Sequence, residues 1–479
     1  MQITFIDPPA LGRHLPVERI FGCTYSLYPM PNIFSLSCAA VLESKGFKAR
    51  YIDMANEKWN INKARYFFSD DNSQAYVFHS VNLSQVSDLF FHKFIRGIRN
   101  KVPIIFTGPG PTYFSNNFLK DENTFVVRGE SEITLLELAQ RLREGGSFAN
   151  VEGLAWLENE GVVNNPPRQL VDNLDELPYP ARYLLKKGLY YNPKLPRLPF
   201  TAMQTSRNCS YRCIFCVPNS YNFARELEYR NYNQNKKPSV RMRSTENVIL
   251  EFELLKRQGY RSVSIIDDQF LWDDARTISI CRGIEGLGIE WGCLARADRI
   301  TEDVARHMAL SGCRYVDLGV ESFSQKVLDD ARKDLKVERV PEAIKILKKN
   351  KLLVKINLLL GVSSLQTKQD IEEDIRLAKS LDVDAVMFSL ATPFPGTDFY
   401  QRARDNNWFF EESGYRAESV QSRSIINYPN LTYSQLNRLV KMANLSFYFD
   451  PRFIFKNIKR LANPVVFYRS VLALKRKFF

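Results

Sequence analysis

Long uncharged apolar runs are missing from the 479 residues, and with them the ~18-residue stretch that a membrane-crossing helix needs. The first residues, MQITFIDPPALGRHL, have neither the basic start nor the apolar core of a secretory signal, so a cytoplasmic location is expected. Cysteine is scarce, with eight in the whole chain. In a reducing compartment a tight cluster of thiols means metal or catalysis rather than a disulfide. Internal repeats and low-complexity tracts are absent too, and the length predicts two to four domains. Acidic residues disappear from 452 to 479, where eight Lys or Arg occur, so the net charge of +13 is largely a property of the tail. The hydrophobic fraction of 45% and charged fraction of 25% are ordinary for a globular protein.

What is present is an alternation of strand and helix patterns. In residues 1–148 the strand candidates are QITFID, KARYIDM, AYVFHSV, PIIFTG and TFVVRG, separated by helical patterns such as FSLSCAAVLESKG. The last helix, SEITLLELAQRLREGG, reads as capped by Ser131 and stopped by its glycines. This predicts a flavodoxin-like, doubly wound parallel sheet whose ligand crevice lies at the strands' carboxyl ends. Residues 149–197 read as a connector, with a hairpin at VEGLAWLENEGVV and a proline-marked linker. From 198 to 400 come LPFTAMQT, SVSIID, IEWGCLA, YVDLGVE, LVKINLLLG and DAVMFSLAT, each followed by a helical pattern. Six such units are fewer than the eight of a closed barrel, so an open, partial (β/α)6 barrel is expected. Residues 401–479 read as helical and basic.

Three of the eight cysteines crowd into SRNCSYRCIFCVPNS, where Cys209, Cys213 and Cys216 are spaced C-x3-C-x2-C directly after the first barrel strand. Structural zinc sites take four protein ligands, usually as two separated pairs, and no second pair exists; Cys281, Cys293 and Cys313 stand alone. Iron–sulfur clusters are also held by thiolates, usually four. A cluster with three would leave one iron open, at the barrel end where catalysis takes place.

This loop resembles that of the radical S-adenosylmethionine (SAM) enzymes, whose C-x3-C-x2-C cysteines hold a 4Fe–4S cluster. The resemblance implies that the open iron chelates SAM and that the reduced cluster cleaves it to a 5′-deoxyadenosyl radical. Later segments follow the family in order: SIIDDQF, GCLARAD, DLGVES and SLATPFPGT. The resemblance implies that Phe215 packs on the adenine. Asp267, Arg296, Glu321 and Ser322 are then expected near the methionyl and ribose groups. The fifth strand departs from the pattern, reading INLLLGVSSLQT where relatives carry Pro-Gly-Glu after the strand.

With the N-terminal domain, the chain resembles the cobalamin-binding subclass of that superfamily over about residues 1 to 400. The carriers are IIFTGPGPTY and TFVVRGESEITLLELAQRL, which imply cofactor contacts from Gly108, Gly110, Arg128, Gly129 and Glu130. Glycines in such a turn let a backbone approach a flat ligand. The Asp-x-His-x-x-Gly lower-ligand motif is absent: Asp7 and Gly12 keep its spacing, but Pro9 takes the histidine position. Cobalamin is therefore expected without a histidine lower ligand from that loop. His79 reads as a hydrogen-bonded strand-end histidine, with ligand contact as the alternative. The long Pro- and Tyr-rich loop at 8–32 is expected either to cover a cofactor or to pack across the barrel mouth.

The expected activity is SAM-dependent radical chemistry, with cobalamin-dependent C-methylation of a hydrophobic substrate (a lipid, isoprenoid or tetrapyrrole). The alternatives are cobalamin-independent cyclisation, coupling or oxidation, or an iron–sulfur carrier or sensor. Methylthiolation of tRNA would need a second cysteine cluster, and only Cys23 and Cys38 precede the barrel. A low-potential donor such as flavodoxin or ferredoxin is implied. The tail at 452–479 reads either as a segment that meets anionic lipid on the inner membrane face or as a helix packed on the barrel. No nucleic-acid recognition fold accompanies it, so no nucleic acid is expected.

Overall fold

The computed structural model describes residues 1–9, 11, 16–22, 28–159, 161–410, 423–461 and 468. It divides into two compact units. One comprises Met1–Leu189 with Val217–Arg243, the other Tyr190–Cys216 with Ser244–Phe479.

The first unit is built on β1 (Gln2–Asp7), β2 (Lys48–Asp53), β3 (Ala75–His79), β4 (Ile104–Thr107), β5 (Thr124–Val127), β6 (Leu154–Glu158) and β7 (Gly161–Asn164). They lie in the order β2-β1-β3-β4-β5-β6-β7, with β1 to β5 parallel. This is the doubly wound order anticipated from sequence, reversing between β1 and β3. Every residue of β3, β4 and β5 is buried, as expected of central parallel strands covered on both faces. The hairpin expected within the connector instead extends this sheet: β6 pairs antiparallel with β5, Phe125 opposite Trp156. Leu154, Ala155 and Trp156 are buried there, so the β5 edge is covered rather than left open.

Local capping explains the helix starts. Asn32 accepts from Ser35 N at 3.2 Å to open the helix Ile33–Ser44, and its amide donates to Asp7. Ser131, expected as an N-cap, is instead the first residue of the helix Ser131–Glu144. Glu130 occupies the cap position but makes no capping bond, because its carboxylate serves Val171 N and Arg241. Gly145, at φ +81°, ends the helix as anticipated.

In the second unit β8 (Phe200–Met203) opens the barrel. Past the two-residue strands β9 (Ser206–Arg207) and β10 (Arg241–Met242), the latter in the first unit, come β11 (Ser262–Ile265), β12 (Glu290–Arg296), β13 (Cys313–Glu321), β14 (Leu353–Leu360) and β15 (Ala385–Leu390). The sheet order is β15-β14-β13-β12-β11-β8, all neighbours parallel. β8 and β15 are unpaired to each other, so the barrel is open. Its core runs from Met203 and Trp291 through Val316 and Ile356 to Phe447.

Beyond the barrel, the helix Pro451–Leu461 exposes Ile454 and Phe455. Most of the basic tail, like Cys23 and part of the loop at 8–32, lies outside the described residues. Among the described residues no helix is long and apolar enough to cross a membrane.

Candidate active site

The three cysteines sit on the loop after β8, free of disulfides and each half-buried. The loop is tied at several points. At its start, Asp267, just after β11, accepts Thr205 N and Thr205 Oγ1 at 2.6 Å each and Ser206 Oγ at 2.8 Å. Burial raises the Asp267 carboxyl although these hydrogen bonds pull the other way. At its middle, Ile214 is buried; its amide donates to Ala331 O at 3.1 Å and its carbonyl accepts from Phe399 N at 2.9 Å. A backbone bond from Cys216 N to Cys213 O closes the turn between the last two thiols. Asn208, at φ +71°, turns the chain into the loop, a left-handed position that Asn tolerates.

Cations gather on one side of this loop. The Arg296 guanidinium lies 3.6 Å from the centroid of the Tyr211 ring, between Cys209 and Cys213. Arg296 also bonds Asp298 and the carbonyls of Lys333 and Asp334. Lys333 is buried and donates to Glu321 Oε1 at 2.9 Å. Burial works against its ammonium, but Glu321 and then Cys213 raise its pKa overall. Gly319 lies close by, and a Cβ there would meet Glu321 Oε1 and Lys333 Nζ at 2.9 Å each, so that pair would have to shift.

Among the residues expected to meet SAM, Arg296 and Glu321 are thus brought together through Lys333, beside Cys213. Phe215 packs, partly buried, against the barrel core. The other two face elsewhere. Asp267 is spent on Thr205 and Ser206, and Ser322 donates to Asp374 at 2.9 Å. Asp374 also accepts from Phe323 N, and burial lifts its carboxyl to about 7. The missing Pro-Gly-Glu turn is replaced by another device. Gly361 N donates to Gln366 Oε1 at 2.6 Å, and Gly361 O accepts from Tyr428 OH at 3.0 Å. Sequence reasoning missed Tyr211, Lys333, Asp374 and Gln366; Lys333 in particular reads in ARKDLK as ordinary surface charge.

The donor set fits an iron–sulfur cluster: three reduced, accessible thiols on a braced loop with cations facing one of them. Among the described residues no three His, Cys, Asp or Glu side chains surround a single-ion position. A four-iron cluster spreads its thiolates over different irons, so the thiols themselves are the relevant ligands.

Comparison with known proteins agrees with this geometry. Residues 203–363 match the family described as the radical SAM superfamily. An uncharacterized methyltransferase of Pyrococcus horikoshii is 31% identical over 371 residues, 76% of each chain. The chain belongs to the radical SAM superfamily. An anaerobic magnesium-protoporphyrin IX monomethyl ester cyclase of Cereibacter sphaeroides is 26% identical over 60% of this chain, which spans only 46% of that protein. In fold, the chain is similar to TsrM of Kitasatospora setae, a radical SAM methyltransferase solved with cobalamin and a 4Fe–4S cluster bound. The TM-score is 0.65 at 17% identity, over 85% of this chain and 75% of that one.

In the first unit of this radical SAM protein, the carboxyl edge of the sheet is packed by its own chain. A Cβ on Gly108 (φ +98°) would meet Ser80 O at 2.5 Å, and one on Gly110 would meet Val81. His79 engages Thr107 Oγ1 and Ser220 Oγ with its two ring nitrogens, and burial lowers its pKa to about 3. It is the hydrogen-bonded strand-end histidine of the first reading. Asp7, the remnant of the lower-ligand motif, accepts from Tyr51 OH at 2.6 Å and pairs with Arg19. Arg128 meets Glu228, and Gly129 lies against the Glu228 side chain. Ser80 Oγ and Asn82 Oδ1, beside the Gly108–Gly110 turn, are buried without a hydrogen-bond partner. Small residues and orphaned polar atoms on one edge form a donor set suited to the amides of a corrinoid.

Proposed function

We propose that the chain is a radical SAM methyltransferase that uses cobalamin to methylate carbon in an organic substrate. The observation that carries the proposal is the braced three-thiol loop, held on both sides of Ile214 and faced by Lys333 and Arg296. Methyltransferase relatives, and a fold neighbour with cobalamin bound, support the methyl-transfer part. Bound here, the cluster and SAM would supply one-electron cleavage of a sulfonium, and a corrinoid a transferable methyl group.

The chain's own residues do the rest. Cys209, Cys213 and Cys216 would hold the cluster. Asp267 fixes the start of the loop, and Tyr211 with Arg296 walls one side of it. Lys333 and Glu321 hold an ion pair beside Cys213. Ser80 and Asn82, with the Gly108–Gly110 turn, would meet the corrinoid. A tetrapyrrole substrate is favoured over a lipid or isoprenoid by the cyclase relative. Contact with anionic lipid through the basic tail belongs to the same reading, as does a flavodoxin- or ferredoxin-type donor.

The test is cobalt retention. Anaerobically reconstituted protein is offered hydroxocobalamin and passed through gel filtration. Near-equal cobalt and protein, with 5′-deoxyadenosine released from SAM under reduction, is the expected result. Deoxyadenosine without retained cobalt would overturn the methylation reading and leave cyclisation, coupling or oxidation.

A further inference from the structure

A cavity of about 400 Å3 opens within the first unit beside the end of β5. Its wall brings together Arg128 from the end of that strand, Arg225 from the helix Ser220–Tyr232, and Arg241. The Arg225 side chain is fully buried, and those of Arg128 and Arg241 are 6% and 10% exposed. Two buried carboxylates face them. Glu228 lies 3.1 Å from Arg128, and Glu130 lies 2.8 Å from Arg241 and 3.7 Å from Arg225. Two other charged residues line the wall. Arg168 pairs with Glu137 and Glu152, and Asp172 is exposed to water.

Three buried guanidiniums and two buried carboxylates thus share this wall. Burial raises the Glu228 carboxyl despite Arg128, and a proton there frees Arg128 for another acceptor. Arg128 Nε is buried with no hydrogen-bond partner. The ion pairs alone would tie Val217–Arg243 to the sheet without leaving a cavity or an unused donor. Planar guanidinium forks match the oxygens of a phosphate. Glu130 shapes the cavity by holding Arg241 and Arg225, while its second oxygen accepts from Val171 N at 2.7 Å.

We propose that this cavity binds a phosphoryl group, with Arg128, Arg225 and Arg241 as its donors. The inference stands whether or not a corrinoid is retained. Two molecules could bring the group: a phosphorylated substrate, or the nucleotide loop of a corrinoid.

The experiment titrates the full chain with inorganic phosphate at constant ionic strength, chloride serving as the control, and follows the thermal unfolding midpoint. A saturable rise with phosphate alone is expected, and its apparent affinity should weaken about tenfold or more in Arg241→Gln, which removes a charged hydrogen-bond donor. A wild-type midpoint that moves no more with phosphate than with chloride overturns the proposal, even if no variant folds. Competition then separates the sources. Displacement of phosphate by hydroxocobalamin but not by cobinamide, which lacks the nucleotide loop, assigns the group to the corrinoid. Displacement by neither assigns it to the substrate. Displacement by both overturns the phosphate assignment, since cobinamide carries no such group.

Discussion

The two parallel sheets end differently at their carboxyl edges. In the first unit most of the edge is filled with paired polar groups: His79 on Thr107 and Ser220, Asp7 on Tyr51 and Arg19, and Arg128 on Glu228, with Ser80 Oγ and Asn82 Oδ1 left over. In the second unit the edge braces its loop with backbone and carboxylate bonds, yet leaves three thiols free of disulfides. The lesson is that a polar group at a strand end gains function by being left incomplete. Buried charges that find partners within the chain hold structure together, while thiols outside any disulfide remain available to a cluster.

The most severe way to break the contrast is Cys213→Ala. Iron content after reconstitution and deoxyadenosine release should both fall to background, while the unfolding midpoint of the apoprotein stays near wild type. Next comes the filled edge. Glu130→Gln leaves Arg225 and Arg241 facing a neutral partner, and losing one member of a buried ion pair costs about 3–5 kcal/mol. Chemical denaturation of the first unit should show it, with cluster assembly in the second unit preserved.

The smallest effect is in pH dependence, and there the two edges should differ in sign. The Asp374 carboxyl is raised from 3.8 to about 7 by burial, so the folded state holds a proton that the unfolded chain has released. Its contribution is present below about 4 and lost as pH rises to about 7; Asp374→Asn should flatten that loss. His79 is lowered from 6.5 to about 3, so its contribution is present above 6.5 and lost as the solution is acidified toward 3. His79→Gln should remove that second slope. Thermal midpoints across pH 4 to 7 for both variants check the pair.

The strands were legible because central parallel strands are contiguous apolar runs between turn signals, and each run sought in the sequence lies on a strand. The cysteine loop was legible because its ligands are neighbours along the chain. Asp374 was not, since 52 residues separate it from Ser322. Nor was Arg241, which meets Glu130 across 111 residues. Sequence spacing carries no sign of such pairings, and lone charges read as solvated surface. Ser131 was misplaced by one position because the cap preference of its hydroxyl was weighed without the distant partners that claim Glu130.

The amino-acid sequence by itself determined the two alternating units, the order of their strands and the thiol triplet, because hydrophobic periodicity and ligand spacing are local properties. Only the tertiary structure decided the rest. It placed Lys333 and Arg296 beside Cys213, spent Asp267 and Ser322 on support, and carried Arg225 and Arg241 to the end of β5. Burial turns a charge from a solvated ornament into a constraint that a partner must meet, and which charges become buried is settled only when distant segments pack.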